Sequence, residues 1–130
     1  MFIKNGKLES FIGINSIFKG NINTKGTLRI DGTMDGSVNA DWVVIGEKAS
    51  LKGDAMARGI IVGGSVEGNL VAKEIVEIKS KARVLGDITT SKLSITDGGI
   101  INGRVSMDRD ESKIVDFLAQ KDRRQDIQNP

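Results

Sequence analysis

The sequence contains no cysteine and no histidine among its 130 residues. Without cysteine there is no disulfide framework and no thiolate metal site. Without histidine the usual general base at neutral pH is missing, and neither a Ser-His-Asp nor a Cys-His arrangement can be built. We therefore predict a protein that is not an enzyme and that uses no cofactor and no metal ion.

Aromatic residues and an excess of charge of one sign are also lacking. Aromatics make up 4% of the chain, and 19 basic residues nearly balance 17 acidic ones, for a net charge of +2. A nucleic-acid-binding surface would need a basic stripe and, for single strands, aromatic side chains on which bases stack. The composition thus predicts no nucleic-acid partner.

The chain has one proline, Pro130, and no long hydrophobic run. No stretch is long enough for a transmembrane helix, and none resembles the apolar region of 7–15 residues in a signal peptide. We expect a cytoplasmic protein. A near absence of proline suits stacked strands, because proline cannot donate to the ladder of hydrogen bonds.

Glycine, by contrast, is abundant, with 16 residues, and it recurs at regular intervals. The repeated frame is small, any, apolar, any, Gly, any, apolar. Its central glycines are Gly20, Gly36, Gly53, Gly68, Gly86 and Gly103, separated by 16, 17, 15, 18 and 17 residues. A period of this size indicates a solenoid in which each repeat forms one turn.

Two further columns accompany each glycine. Ahead of it lies an apolar, any, apolar pair, and behind it lies a small residue or threonine. The pairs are Ile12/Ile14, Leu28/Ile30, Val43/Ile45, Ile60/Val62, Val76/Ile78 and Leu93/Ile95, and the small column is Thr24, Ala40, Ala57, Ala72 and Thr90. This period of two is the signature of strands. We predict an all-β parallel β-helix of about six turns, roughly 25–30 Å long at about 4.8 Å per turn.

The alternation predicts apolar side chains inside the rod and polar ones, such as Arg29, Glu67 and Glu77, outside. Met34 falls in the apolar column and is predicted to be core. Trp42 comes one residue before an inward position and should point outward, where packing over a corner is favoured over contact with a partner.

Three catalytic or ligand-binding interpretations fit the sequence less well than the repeat does. Gly63-Gly64 and Gly98-Gly99 lack the following helix and the Gly-Lys-Ser/Thr of a phosphate-binding loop. Paired carboxylates can cleave glycosides without histidine, but the near-constant glycine steps leave no insertion to wall a groove. The segment 45–50 superficially resembles the hexapeptide rhythm of left-handed β-helix acyltransferases, which rely on a histidine that this chain lacks.

The two ends of such a rod would expose unpaired backbone groups and the apolar column in cross-section. Neither end shows an obvious polar cap. We therefore predict end-to-end self-assembly, head-to-tail or head-to-head. The predicted polymerisation contacts are Phe11, Ile14 and Phe18 at the N-terminal end and Ile100, Ile101 and Val105 at the C-terminal end.

Short segments flank the repeat. In residues 1–11, Met1, Phe2 and Ile3 precede Lys4, an apolar tip with a basic flank that fits a membrane tag as well as a frayed terminus. Residues 108–130 are highly charged, and Ile114, Phe117 and Leu118 have the spacing of a short amphipathic helix. A disordered tail is the alternative there.

Taken together, the Gly-x-apolar frames, the turns Ile30-Asp31-Gly32 and Val44-Ile45-Gly46, and the closing segment 103–107 resemble the bactofilins, bacterial polymer-forming cytoskeletal proteins. The resemblance covers residues 12–107. It implies a right-handed β-helix of triangular cross-section that assembles without nucleotide into nonpolar filaments. It also implies that Met1-Phe2-Ile3-Lys4 resembles the family's membrane tag, and that Ile101 takes the place of an aromatic residue needed for polymerisation.

The resemblance further implies a scaffold at the inner face of the cytoplasmic membrane, with itself, the membrane surface and cell-wall enzymes or other scaffold proteins as partners. The function predicted from the sequence is therefore a filament that positions cell-shape or cell-wall proteins. The alternative hypothesis is a monomeric β-helical rod that binds a glycan or a protein.

Overall fold

The computed structural model describes residues 8–107, with side chains from Ser10 onward. Regular structure in this range consists of strands alone. In chain order they are β1 (Leu8–Ile12), β2 (Ile17–Lys19), β3 (Ile22–Asn23), β4 (Thr27–Ile30), β5 (Thr33–Asp35), β6 (Val38–Asn39), β7 (Trp42–Ile45), β8 (Ser50–Lys52), β9 (Ala55–Val62), β10 (Ser65–Glu67), β11 (Leu70–Ile78), β12 (Arg83–Leu85), β13 (Ile88–Ile95), β14 (Ile100–Asn102) and β15 (Val105–Met107). The residues described include no helix that could cross a membrane.

Each turn of the chain has three sides, and every strand pairs in parallel with its equivalents one turn away. The first side is built by β1, β4, β7 and the second halves of β9, β11 and β13. The second side is the six-stranded sheet β2-β5-β8-β10-β12-β14. The third side is built by β3, β6, the first halves of β9, β11 and β13, and β15. The structure is thus a parallel β-solenoid of six turns, which confirms the predicted fold.

The core fills the inside of this rod as columns of stacked side chains. One column, on the second side, runs through the central residue of every strand: Phe18, Met34, Leu51, Val66, Val84 and Ile101. Met34 and Leu51 are 0% exposed. The small column is in register as predicted, since Ala72 pairs with both Ala57 and Thr90.

The recurring glycines mark one corner of every turn. Gly20, Gly36, Gly53, Gly68, Gly86 and Gly103 all have φ between 137° and 157°. The corners stack so closely that a Cβ on Gly36, Gly53, Gly68, Gly86 or Gly103 would overlap the carbonyl oxygen of the glycine one turn below. Both the backbone conformation and the close approach therefore require glycine.

The exterior is less polar than the alternation predicted. Trp42 is buried, at 9% exposure, and its ring packs over Gly59 of the next turn, where a Cβ would collide with it. Val44 and Ile61 occupy outward positions on the first side and do not belong to the core cluster. Alternation with Val43, Ile45, Ile60 and Val62 marks both positions as outward, so these two apolar residues are exceptions to the predicted polar exterior.

Candidate polymerisation surfaces at the ends of the rod

At the N-terminal end, the first turn pairs only with the second in the part of the chain that the structure describes. Its strands β1 and β2 form the outer edges of their sheets. Four apolar side chains are exposed there: Phe11 (57%), Ile14 (57%), Ile17 (72%) and Phe18 (36%). This end therefore combines a free strand edge with apolar surface, which is the combination that favours pairing with another chain.

The three N-terminal residues predicted from the sequence occupy different places. Phe18 ends the inner column and faces along the rod beneath Met34. Phe11 alternates with buried Ile12 and is in register with Arg29, so it lies on the outer face of the first side. Ile14 lies in the turn between β1 and β2.

Ile17, the most exposed apolar residue of this end, was missed by the sequence analysis. The signal was available, because Ile17 precedes the inward Phe18 and must therefore point outward. It begins an outer column on the second side whose last member is Ile100.

At the C-terminal end, the three predicted contact residues also lie on different surfaces of the rod. Ile101 closes the inner column of the second side and is half-buried against the core cluster. Val105 stacks on Ile88 and is 39% exposed. Ile100 is 49% exposed but is in register with Arg83, on the outer face. The cross-section of the rod thus contains Ile101 and Val105, with Ile100 at its rim.

Two further residues of this end were missed. Met107 (55% exposed) continues the small column above Thr90, and Ile95 (50% exposed) is the last member of the apolar pairs. Met107 could have been found by extending the small column one step further, whereas Ile95 already belongs to the apolar pairs and is exposed because no described strand stacks on it. Met107, Ile75 and Leu93 line an open groove of about 620 Å³ beside the edge of β13.

Polar contacts along one corner show where the repeat stops. After four of the corner glycines, the side-chain oxygen of Asn21, Asp54, Asn69 or Asp87 accepts a hydrogen bond from the backbone N–H of the equivalent residue in the next turn. Asn69 N–H donates to Asp54 Oδ1 (3.1 Å), Asp87 N–H to Asn69 Oδ1 (3.3 Å) and Arg104 N–H to Asp87 Oδ1 (3.2 Å). Arg104 has no side-chain acceptor, so this ladder ends with the last turn. The repeated frame allows any residue after the corner glycine, so it did not predict this ladder.

Charged groups elsewhere form ion pairs rather than a reactive centre. Arg58 joins Asp41 of the preceding corner to Glu74 of the following one, at 3.5 and 2.7 Å. The hydrogen bond to Glu74 and the charge of Glu74 raise the pKa of the Arg58 guanidinium above its usual value. Among the described residues, no group of three or more acidic, histidine or cysteine side chains could hold a metal ion.

The fold defines a class of protein, namely a parallel β-solenoid whose described turns end at both sides in unpaired strand edges with exposed apolar residues. A family model described as bactofilin, polymer-forming cytoskeletal, matches residues 10–106. The chain belongs to the bactofilin family.

Individual relatives agree with this assignment. The chain is 32% identical to bactofilin BacO of Myxococcus xanthus over 79% of its own length and 82% of the relative's. It is 30% identical to bactofilin BacP of the same organism over 76% of its own length, which spans 42% of BacP. A cryo-EM reconstruction of Thermus thermophilus bactofilin double helical filaments shares the fold, with a TM-score of 0.62, 21% identity, and coverage of 75% of this chain and 99% of that one.

Two parts of the sequence interpretation fall outside the described residues. They are the membrane tag Met1, Phe2, Ile3 and Lys4, and the short helix in residues 108–130.

Proposed function

We propose that this protein assembles end to end, without nucleotide, into nonpolar filaments that act as a bacterial scaffold at the inner face of the cytoplasmic membrane. The scaffold would position cell-shape or cell-wall proteins, as membership of a polymer-forming cytoskeletal family suggests. The observation that carries the proposal is the pair of apolar, unpaired ends described above.

Burial of these ends supplies the driving force. An apolar side chain removed from water contributes about 25 cal/mol per Å². Phe18 at one end and Ile101 with Val105 at the other stand in line with the core columns, so a second rod would continue the same apolar column across the contact. No chemical step is required for such an association.

The corner ladder supports a nonpolar arrangement. In a head-to-tail polymer, Asn21 of the next subunit would stack on Arg104. The backbone N–H of that Asn21 would then need a side-chain acceptor at position 104. Arginine offers none. Contacts of like ends about a two-fold axis need no such continuation, and each apolar end then meets its own copy.

The N-terminal segment supports membrane contact in an assembled state. Met1, Phe2 and Ile3 are too few for tight binding by one subunit, but a filament presents many copies, and avidity multiplies weak affinities. Recruitment of a fluorescent fusion to the membrane in cells, compared with a version lacking residues 2–7, tests this part. Equal recruitment of both versions would contradict it.

The test of the polymer is negative-stain electron microscopy of the purified protein beside Ile101→Arg, without nucleotide. A charge buried unpaired in an apolar contact costs several kcal/mol, so we expect filaments in the parent and dispersed particles in the variant. The matched control is Ser65→Arg, which adds the same charge to an exposed position in the middle of the second side and should leave filaments intact.

If the parent forms no filaments at any ionic strength, the monomeric rod that binds a glycan or a protein becomes the better hypothesis. If Ile101→Arg polymerises like the parent, the C-terminal contact lies elsewhere.

A further inference from the structure

At the C-terminal end of the rod, the last strand of the first side has no described strand stacked on it. The second half of β13 pairs with β11 below it, whereas β15 pairs only with the first half of β13. Leu93 is partly buried against the core cluster, Ile95 is 50% exposed and Met107 is 55% exposed. Leu93 and Met107 also line the open groove of about 620 Å³. We call Leu93, Ile95 and Met107 the terminal edge.

The sequence after Met107 does not supply a seventh turn that would cover the terminal edge. The last of the glycine steps is 17 residues. The same step would place Asp110 above Leu93 and Ser112 above Ile95, and a step of 18 residues would place charged residues there. Polar side chains at both inward positions are incompatible with an apolar column. The terminal edge therefore needs a different cover.

Apolar residues return further along the chain, with helical spacing. Ile114, Phe117 and Leu118 lie at i, i+3 and i+4, so they share one face of a helix. Upstream, Asp108 is followed three residues later by Glu111, a pattern that begins helices because both side chains satisfy free backbone N–H groups. A helix with this start would begin directly after β15.

The dimensions of such a helix match those of the terminal edge. A helix rises about 1.5 Å per residue and a strand about 3.3 Å. From Met107 to Ile114 a helix rises about 10 Å, and a strand rises about 10 Å from the residue of β13 on which Met107 stacks to Leu93. From Met107 to Leu118 and from the same residue of β13 to Ile95, the two distances are both about 16 Å.

We propose that residues 108–121 bind the terminal edge of their own subunit as a short helix that runs along β13. Ile114 then lies over Leu93 and Leu118 over Ile95. We call residues 108–121 the C-terminal segment. Its apolar face covers the exposed apolar side chains of the last turn, and its polar face remains in water.

Two observations favour this occupant over a separate molecule. Met107 lines the groove and is followed directly by the C-terminal segment, so the segment is held beside its binding surface at a high effective concentration. Lys92 also lines the groove, and Asp110 and Glu111 bring negative charge to it from the first helical turn.

Binding of the C-terminal segment would compete with a second rod, and this consequence rests on the proposed function. The terminal edge belongs to the same end of the rod as Ile101 and Val105, so an end-to-end contact must displace the segment. A short helix is marginal by itself, so its binding is reversible. The C-terminal segment thus raises the protein concentration at which filaments form, whereas its binding to the terminal edge needs no filament.

The first experiment measures this binding by crosslinking, in full-length protein from which high-speed centrifugation has removed filaments. The chain has no cysteine, so two introduced cysteines are its only thiols. The test pair is Ser94→Cys, exposed at the groove, with Gln120→Cys. The control pair is Ser65→Cys, exposed in the middle of the second side, with Gln120→Cys. We expect a short bismaleimide to crosslink the test pair within one subunit at least about tenfold faster than the control pair.

Two matched charges then test the apolar face of the C-terminal segment. Phe117→Asp places a charge on this face, and Ala119→Asp places the same charge on the opposite face. Alanine is the better helix former, so the control costs the helix itself at least as much. We expect Phe117→Asp to slow crosslinking of the test pair at least about fivefold, and Ala119→Asp to leave it unchanged. Equal rates for the two cysteine pairs, or equal effects of the two charges, would overturn the proposed binding.

Sedimentation over a series of protein concentrations tests the competition. Phe117→Asp should lower the concentration at which half of the protein pellets at high speed, by at least about threefold, because a filament contact no longer displaces a bound segment. Ala119→Asp should leave this concentration unchanged, and the internal crosslink of the test pair should raise it. Unchanged pelleting in both Phe117→Asp and the crosslinked protein would overturn the competition. A parent without any pellet would contradict the proposed function and the competition with it, while the crosslinking rates would still decide the binding.

Discussion

At the scale of single residues, the stacked corner glycines restrict the chain most severely. Gly53 has φ +137°, and a Cβ there would overlap the carbonyl oxygen of Gly36. Gly13 provides a contrast, since its nearest neighbours to a Cβ would be Phe11 and Ser16 at 3.6 and 3.7 Å, which is ordinary contact. The two glycines should therefore respond very differently to the same substitution.

We expect Gly53→Ala to lower the free energy of unfolding by about 2–4 kcal/mol, because backbone strain and steric overlap each cost about 1–3 kcal/mol. Gly13→Ala should change it by no more than about 0.5 kcal/mol. Chemical denaturation followed by circular dichroism measures both, at one protein concentration, because assembly shifts the midpoint. Equal effects of the two substitutions would contradict this account of the corners.

At the scale of elements, the structural repeat is one whole turn of the solenoid rather than one strand. The columns predicted the repeat and its strands, and the family resemblance implied the triangular cross-section. Neither predicted that β9, β11 and β13 run without interruption around the third corner. The corner is absorbed by a shift of register between Ala72 and Ile75. Side-chain alternation is a local property, whereas a register shift depends on the neighbouring turns.

Because each turn contacts only its neighbours, a whole turn should be removable. Deletion of residues 70–87 joins Asn69 to Ile88, and Asn69 and Asp87 are equivalent corner residues one turn apart. We expect a folded rod of five turns, shorter by about 4.8 Å, with a β-sheet circular dichroism spectrum and a shorter axial repeat in filaments.

Deletion of residues 70–78 is the control for this experiment. It removes the first-side and third-side strands of a turn but leaves β12, so the columns that follow lose their register. This variant should not fold cooperatively. Cooperative unfolding of the half-turn deletion, or loss of structure in the whole-turn deletion, would argue against independent turns.

At the scale of the whole molecule, exposure at the ends distinguishes residues that look equivalent in the sequence. Ile78 and Ile95 occupy the same position in successive turns, yet Ile78 is 0% exposed and Ile95 is 50% exposed, because no described strand follows Ile95. The proposed end contacts belong to this scale, and Ile101→Arg should remove filaments altogether.

By itself, the sequence determined the parallel β-solenoid, its six turns, its core columns and its corner glycines, because all of these follow from alternation and period. It also pointed to the apolar ends and, through its resemblance, to the family. The tertiary structure alone decided how far each end residue is exposed, since Ile95 is 50% exposed and Ile78, one turn earlier, is 0% exposed. It alone joined Arg58 to Asp41 and Glu74, because residues far apart in the chain become neighbours only when the turns stack in register.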